Sequence, residues 1–463
     1  MAAEGSKIFV VACKHGFVET AYMTAQPNKS PSPFLSPRGG SNIWAQRPDV
    51  IEAWKKQSQI DVPPVSLEYS PNLSCDADCG LCPFRRSRLQ TCDGVIPTRE
   101  TAPEDDRQSA TRASARRVLE ATREAGVQGV LWTGGGEPTI WEPLVEMLAY
   151  SAELRMANGI YTNGFRLGWD AGFADQLMAP ENGLVFVRMS INALSPERAK
   201  RHWGIDALQV RQQLIGLAKL FQARQQWLTE YQKRGQRLPS IQISTIVDRH
   251  SVGDLPLICS TVAEIVAAHR TCAGEEDVMI VRPLTIHGRK KGYSLHDHDE
   301  AVIREIITVC GSQGDGRRQL VEAGVTLYLG FGLSAIESGA VPSYSALLEQ
   351  EYAQRDISWA NGLFLTVGPD SSVYLSTEYN CSPGWELGNL KTQSVTEVYQ
   401  SERRREVLKR MNSAHWSAAV SQPTARTARL DRIARAVING QLSDAEIESI
   451  RLASLNSHSL ILD

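Results

Sequence analysis

Short apolar runs and helix-length amphipathic segments alternate six times between residues 65 and 283, and this alternation constrains the fold more than any other feature. Each apolar run is rich in β-branched residues and precedes a turn signal, which is typical of buried parallel strands. The pattern predicts β/α units joined by right-handed crossovers. The predicted strands are 65–69, 128–132, 159–162, 184–191, 241–247 and 278–283, and the predicted helices are 107–125, 144–156, 171–178, 207–234 and 255–270.

Six such units favour a partial (β/α)6 TIM-like barrel over a flat sheet, so the predicted fold class is α/β with an α+β C-terminal extension. After about residue 300 the pattern predicts helices at 301–310, 316–323, 395–411 and 426–450, and strands at 325–331, 362–368 and 373–377. The predicted domains are an irregular N-terminal extension (1–62), the barrel (63–300), the α+β extension (301–412) and a helical tail (413–463).

Charge and hydropathy exclude some classes of partner. The chain has 49 basic and 52 acidic residues and a net charge of −3, which argues against a protein that coats nucleic acid or an anionic membrane. A basic run at 401–410 is interpreted as a solvated helix face. We found no uncharged apolar stretch of about 18 residues, so no membrane partner and a cytoplasmic location are expected.

Three of the nine cysteines lie within one short segment, Cys75-x3-Cys79-x2-Cys82, directly after the first predicted strand. The loops at the carboxyl ends of barrel strands carry the chemistry of barrel enzymes. Three thiolates on one loop favour an iron–sulfur cluster with one iron open to another ligand. The alternative is structural zinc, which normally takes four protein ligands, and the sequence has no second C-x2-C pair.

The second predicted strand ends in Gly134-Gly135-Gly136-Glu137-Pro138. Three glycines allow the backbone to approach a ligand closely, and Glu137 adds an anion suited to an α-amine. The alternative is a plain turn between a strand and a helix.

The cysteine triplet and this glycine–glutamate turn together closely resemble the radical S-adenosylmethionine (SAM) superfamily over residues 65–285. The resemblance implies a [4Fe–4S] cluster on Cys75, Cys79 and Cys82, with SAM on the open iron. It implies cofactor-binding roles for residues at the carboxyl ends of the second to fifth predicted strands. These are Gly134, Gly135, Gly136 and Glu137 at the methionine amine, Thr162 and Asn163 near SAM, Ser190 and Asn192 at its ribose and carboxylate, and Val247 with Ile246 at the adenine.

The C-terminal third resembles SPASM/twitch-type extensions, here expected without an auxiliary cluster. A looser resemblance to radical SAM deaminases and dehydratases of sugars and aminoglycosides implies an acid that protonates a leaving group. The candidates for this catalytic role are His287, Lys290 and Glu378. A solvated basic turn is the alternative for the residues within 286–292.

The expected function is therefore reductive cleavage of SAM to a 5′-deoxyadenosyl radical, followed by hydrogen abstraction from a small-molecule substrate such as a sugar or aminocyclitol. An electron donor such as flavodoxin or ferredoxin is the expected protein partner. A peptide-modifying maturase and a zinc-stabilised binding protein are the alternatives, and the oligomeric state is left open.

Overall fold

A mostly parallel ten-stranded sheet runs through the part of the chain that the computed structural model describes. The described residues are 44–79, 82, 109–270, 277–283, 300–330, 333–343, 346, 359–375, 384–411 and 425–455. The strands are Ser66–Tyr69 (β1), Gly129–Trp132 (β2), Ala157–Thr162 (β3), Leu184–Ser190 (β4), Ser240–Val247 (β5), Asp277–Pro283 (β6), Val325–Leu329 (β7), Phe364–Val367 (β8), Ser372–Tyr374 (β9) and Glu386–Asn389 (β10).

Strands β1 to β7 lie side by side in sequence order, and each pairs in parallel with the next. The α/β partial-barrel prediction is confirmed, and β7 extends the six predicted strands to seven. The principal helices are Pro48–Lys55, Arg112–Glu124, Leu144–Glu153, Phe165–Trp169, Phe173–Leu177, Ala207–Lys233, Leu255–His269, Glu300–Cys310, Asp315–Glu322, Leu333–Glu337, Val395–Tyr399, Glu402–Met411, Ala425–Ile438 and Asp444–Leu455.

The two faces of the sheet differ in chemistry because successive strand residues point to opposite sides. Residues such as Val130 and Ile241 are buried against the surrounding helices in the main hydrophobic core. On the inner face, Leu131, Ala157 and Phe186 form a separate small apolar cluster. Polar side chains of β4 and β5 follow this cluster toward the carboxyl ends of the strands.

The C-terminal strands continue the same sheet. β8 pairs in parallel with β1, from Ser66 opposite Phe364 to Tyr69 opposite Val367. β9 is antiparallel to β8 and β10 is antiparallel to β9, so the predicted hairpin is present. The extension therefore covers the β1 edge of the parallel sheet, while the domain boundaries at 62, 300 and 412 stay a prediction.

Two long helices predicted in this region are each divided. The segment 395–411 forms Val395–Tyr399 and Glu402–Met411, and 426–450 forms Ala425–Ile438 and part of Asp444–Leu455. Gly440 has a φ of +66°, a conformation that ends a right-handed helix. Hydrophobic periodicity continues across this break, which is why the pattern predicts one helix.

The prediction of a solvated face for the basic run 401–410 is wrong at Arg404, which is fully buried. Its Nη1 donates to the carbonyls of Ile60 at 2.7 Å and Tyr399 at 2.9 Å. Its guanidinium also lies 4.1 Å from the Tyr399 ring centroid. Arg404 therefore ties the C-terminal helices to the segment before β1.

The stretch Val252–His269 is long and apolar enough to cross a membrane by length and composition, with a mean hydropathy of 1.3. Its residues Ile258, Val262 and Val266 are fully buried in the main core. A core helix of a soluble protein meets the same criterion, so this helix is weak evidence for a membrane span.

Candidate active site

The cysteine loop follows β1 and lies at the carboxyl ends of the parallel strands. Cys75, Cys79 and Cys82 are half-buried, and Cys75 and Cys79 pack against the main core. Thiolates are the usual ligands of iron–sulfur clusters, so the donor set fits such a group. Among the described residues, no three His, Cys, Asp or Glu side chains are already gathered as a metal site.

The glycine turn after β2 is packed directly on the base of the cysteine loop. A Cβ on Gly136 would lie 2.1 Å from the carbonyl oxygen of Ser74, and a Cβ on Gly134 would lie 1.6 Å from the carbonyl oxygen of Gly136. The backbone N–H of Glu137 donates to that Ser74 carbonyl at 2.8 Å. Gly135 donates its N–H to Ser70 Oγ at 3.3 Å. Only glycine fits this contact, which couples the two motifs.

Glu137 is the buried anion of this site, with a relative exposure of 3%. Its Oε1 accepts hydrogen bonds from the Thr139 backbone N–H (3.0 Å), Thr139 Oγ1 (2.6 Å) and Thr162 Oγ1 (2.7 Å). Its Oε2 accepts one from the Asn163 backbone N–H at 2.7 Å. Burial raises the pKa of Glu137 to about 7, although these hydrogen bonds oppose the shift.

No basic side chain in the described ranges forms an ion pair with Glu137. A carboxylate oxygen can accept about two hydrogen bonds, so Oε2 keeps room for another donor. A buried anion without a protein counter-charge is costly, and a cationic ligand group would offset that cost. The position therefore suits an ammonium group, as the sequence predicts.

Asn163 joins the Glu137 turn to the cysteine loop. Its side-chain Nδ2 donates to Asp76 Oδ1 at 2.6 Å. Gln209, at the start of the Ala207–Lys233 helix, donates its Nε2 to the Asp76 carbonyl at 2.8 Å. Gly204 packs on the same loop, because a Cβ there would lie 2.1 Å from the Asp78 carbonyl oxygen.

The ends of β4 and β5 bring the other predicted cofactor residues to the same edge of the sheet. Ser190 is half-buried, and its carbonyl accepts a hydrogen bond from Gln213 Nε2 at 2.9 Å. Asn192 Oδ1 accepts one from the Ile246 backbone N–H at 2.9 Å. Val247 is fully buried in the main core, whereas Ile246 is half-buried. Of the pair predicted to contact adenine, Ile246 is thus the less buried.

The predicted acids His287, Lys290 and Glu378 lie outside the described residues. The sequence analysis missed Asp76, Gln209 and Gln213, which hold the site together. Gln209 has one local signal, since Asp206 and Gln209 form a capping box at the start of the long helix. Nothing in the sequence reveals the second hydrogen bond that Gln209 makes to the cysteine loop.

Comparison with known proteins agrees with this geometry. Residues 69–225 match the Radical SAM superfamily, while no curated protein sequence matches the chain. The crystal structure of Streptococcus suis SuiB bound to precursor peptide SuiA is similar, with a TM-score of 0.51 and 15% identity over 80% of this chain and 71% of that chain. This likeness extends the shared fold beyond the matched residues.

Two further structures align less well. BtrN in complex with AdoMet and 2-DOIA gives a TM-score of 0.36 at 12% identity, over 77% of this chain and 91% of that chain. TYW1 with a lysine–pyruvate adduct gives 0.33 at 14% identity, over 54% of this chain and 72% of that chain. The matched residues contain Cys75, Cys79 and Cys82 as well as the turn at Glu137, so this segment of the chain is similar to the Radical SAM superfamily.

Proposed function

We propose that Cys75, Cys79 and Cys82 hold a [4Fe–4S] cluster and that Glu137 binds the amine of SAM. When bound, the cluster and SAM would supply the radical chemistry needed to remove hydrogen from an unactivated C–H bond. The observation that carries the proposal is the buried Glu137 carboxylate, which lacks a basic partner among the described residues and lies on the base of the cysteine loop.

The residues of the chain bind and orient the cofactors in this proposal. Gly134 and Gly136 allow close backbone approach, and Thr162 and Asn163 fix the direction of the Glu137 carboxylate. The apolar cluster of Leu131, Ala157 and Phe186 closes the lower inner face against water. Excluding water protects a reactive intermediate from side reactions.

The proposed substrate is a small polar molecule, with a sugar or aminocyclitol dehydration or deamination as the reaction class. Support comes from the polar inner face of β4 and β5, where Arg188 and Gln242 are buried. His287, Lys290 and Glu378 stay the proposed candidates for protonating a leaving group. We also propose a cytoplasmic enzyme that receives electrons from a flavodoxin or ferredoxin.

A peptide-modifying maturase is the second candidate. SuiB, which shares the fold, is bound to the precursor peptide SuiA. The two candidate functions differ in the size of the substrate that must reach the inner face of the sheet. A peptide needs an open path for several residues, whereas a small polar molecule does not. The zinc-stabilised binding protein is set aside because residues 69–225, which contain the three cysteines, match the Radical SAM superfamily.

Anaerobic reconstitution with iron and sulfide tests the proposal. We expect a brown protein with about four iron and four sulfide per chain, which forms 5′-deoxyadenosine from SAM when reduced with dithionite. Cys79→Ala is the matched negative control. Colourless protein that holds stoichiometric zinc and leaves SAM intact would contradict the proposal.

A further inference from the structure

A buried carboxylate that the proposed chemistry does not use holds the loop that follows β4. Asp254 lies at the start of the helix after β5 and has a relative exposure of 1%. Its Oδ2 accepts hydrogen bonds from the backbone N–H groups of Leu194 at 3.0 Å and Ser195 at 2.8 Å. Its Oδ1 accepts hydrogen bonds from the Ser195 hydroxyl and from Nη1 of Arg198. All four donors lie within residues 194–198, so Asp254 fixes one short segment.

This segment directly follows the predicted SAM-binding residues at the end of β4. Asn192 Oδ1 accepts a hydrogen bond from the Ile246 backbone N–H at 2.9 Å. One residue earlier, the carbonyl of Ile191 accepts a hydrogen bond from Thr245 Oγ1 at 2.8 Å. The loop after β4 is therefore held by β5 where it begins and by the buried carboxylate a few residues later. These contacts define the position of Asn192 relative to Ile246.

The position of Asp254 is fixed by the turn and the helix on either side of it. Asp248 closes the turn after β5, because its Oδ1 accepts hydrogen bonds from the backbone N–H groups of His250 at 3.0 Å and Ser251 at 2.8 Å. The Asp254 backbone N–H donates to the Ser251 carbonyl at 2.9 Å. Leu255, the first residue of the helix, is fully buried in the main core. Asp254 thus joins the loop after β4 to a rigid part of the fold.

A carboxylate suits this position better than any other side-chain group. Donors approach both of its oxygens, and an ionised carboxylate accepts on both, whereas an amide has one accepting oxygen and one donating nitrogen. These hydrogen bonds and the charge of Arg198 offset the cost of burying an anion. Replacement of Asp254 by asparagine keeps the shape but directs a donor toward other donors, which releases the loop without creating a cavity.

We propose that Asp254 is a positioning residue that fixes the loop after β4, so that Asn192 and Ile246 receive the nucleoside half of SAM. This inference rests on the proposed function, which places SAM at these strand ends. Asp254 acts through the loop and not through contact with the reacting atoms. Glu137 lies after β2 and is held by Thr139 and Thr162, so the methionine half of SAM depends on a separate set of contacts.

The test compares two ligands of the reconstituted enzyme, SAM and 5′-methylthioadenosine, which has the nucleoside but no amino acid group. Equilibrium dialysis measures both dissociation constants. Asp254→Asn is expected to bind each ligand about 10-fold more weakly, a difference of about 1.4 kcal/mol. Glu137→Gln is expected to bind SAM more weakly but methylthioadenosine as the wild type does, because that ligand has no ammonium group.

Asp277→Asn is the matched control for loss of a buried carboxylate. Asp277 is fully buried and accepts hydrogen bonds from Arg224 at 2.6 Å and 2.8 Å and from the Ile241 backbone N–H at 2.9 Å. It is the first residue of β6, so it lies at the end of the strands opposite to the proposed SAM site. This variant is expected to melt earlier than the wild type and to keep the wild-type affinity for both ligands.

Ser195→Ala is a milder second variant, because it removes only the hydroxyl contact with Asp254. It is expected to bind both ligands about 3-fold more weakly.

Three results would overturn the inference. The first is wild-type affinity for methylthioadenosine in whichever of Asp254→Asn and Ser195→Ala folds. The second is an equal loss of affinity in Asp277→Asn, which would assign the effect to general destabilisation. The third is a wild type that binds SAM but not methylthioadenosine. Failure of the proposed function looks different, because the wild type would then lack iron and bind no SAM.

Discussion

Asn163 donates its side-chain amide to Asp76 at 2.6 Å while its own backbone N–H donates to Glu137. One residue at the end of β3 thus contacts both the cysteine loop and the carboxylate proposed to bind SAM. Asp76 lies between two cysteines, so this contact fixes the path of the loop relative to the Glu137 turn. The two motifs form a single unit joined through a third strand.

Asn163→Ala is expected to loosen the cysteine loop and lower SAM affinity about 10-fold, a typical effect of losing a hydrogen bond to a charged group. Asn163→Asp is expected to be worse, because it places a second carboxylate beside Asp76. SAM binding to the reconstituted enzyme measures the effect. Asn389→Ala, in the C-terminal hairpin, serves as the control and is expected to bind SAM normally. Normal SAM affinity in Asn163→Asp would show that the bridge has no role.

Cys79→Ala is expected to abolish cluster loading while the far-ultraviolet circular dichroism spectrum is retained, because Cys79 is half-buried and free of disulfide bonds. Iron and sulfide content measures the loss. Cys259→Ala is the matched control, since Cys259 is a fully buried core thiol. We expect that variant to keep its cluster, with SAM cleavage like that of the wild type. SAM cleavage by Cys79→Ala would refute the assignment of the cluster ligands.

Gly136→Ala is expected to displace the cysteine loop, because the new Cβ would lie 2.1 Å from the Ser74 carbonyl oxygen. Loss of most 5′-deoxyadenosine formation is the expected result. Gly172→Ala is a matched control, since its Cβ has no atom nearer than Gln176 Nε2 at 3.8 Å. If both variants cleave SAM at the wild-type rate, the close contact between the two motifs does not matter for activity.

The raised pKa of Glu137 predicts a pH dependence of stability. Its pKa moves from 4.5 to about 7, so between these values the folded chain keeps a proton that the unfolded chain loses. Stability from this group therefore falls as pH rises through that window, by up to about 3 kcal/mol. Urea unfolding of SAM-free protein at pH 5 and pH 8 measures the change, and Glu137→Gln is expected to lack this contribution.

SAM binding is expected to show the opposite trend. An ammonium group pairs with the ionised carboxylate, so the affinity for SAM should increase as pH rises from about 6 to 8. Glu137→Gln is expected to bind SAM more weakly and with little dependence on pH in this range. Identical pH profiles for wild type and Glu137→Gln would exclude Glu137 as the group that binds the amine.

Local patterns predict much of this fold and part of the site. The strands are visible as apolar runs, and the thiols of Cys75, Cys79 and Cys82 are visible as a motif because they belong to one short segment. Local sequence patterns say less about which strand pairs with which. The pattern predicts a strand near residue 325, but its pairing with β6 depends on which edge is open after the barrel strands have assembled.

Contacts between residues that are distant in the chain depend on how the strands and helices align in three dimensions, and they cannot be predicted from local sequence patterns. The bridge from Asn163 to Asp76 spans 87 positions, and the contact from Gln209 to the same loop spans 133. The sequence around Asn163 and Gln209 does not distinguish these side chains from polar side chains that are exposed to solvent. The burial of Val247 in the main core was not predicted for the same reason. A shift of one residue in a strand decides whether a side chain packs in the core or lies on the inner face.

The parallel pairing of β8 with β1 has a consequence for synthesis of the chain. β1 directly precedes the cysteine loop, yet its second neighbour spans Phe364–Val367 and leaves the ribosome almost 300 residues later. Until then β1 has one unpaired edge, with its amides and carbonyls open to other strands. The strand that precedes the cysteine loop therefore acquires its second neighbour late in translation. Stalled or truncated chains leave this edge of β1 unpaired, which makes them prone to aggregate.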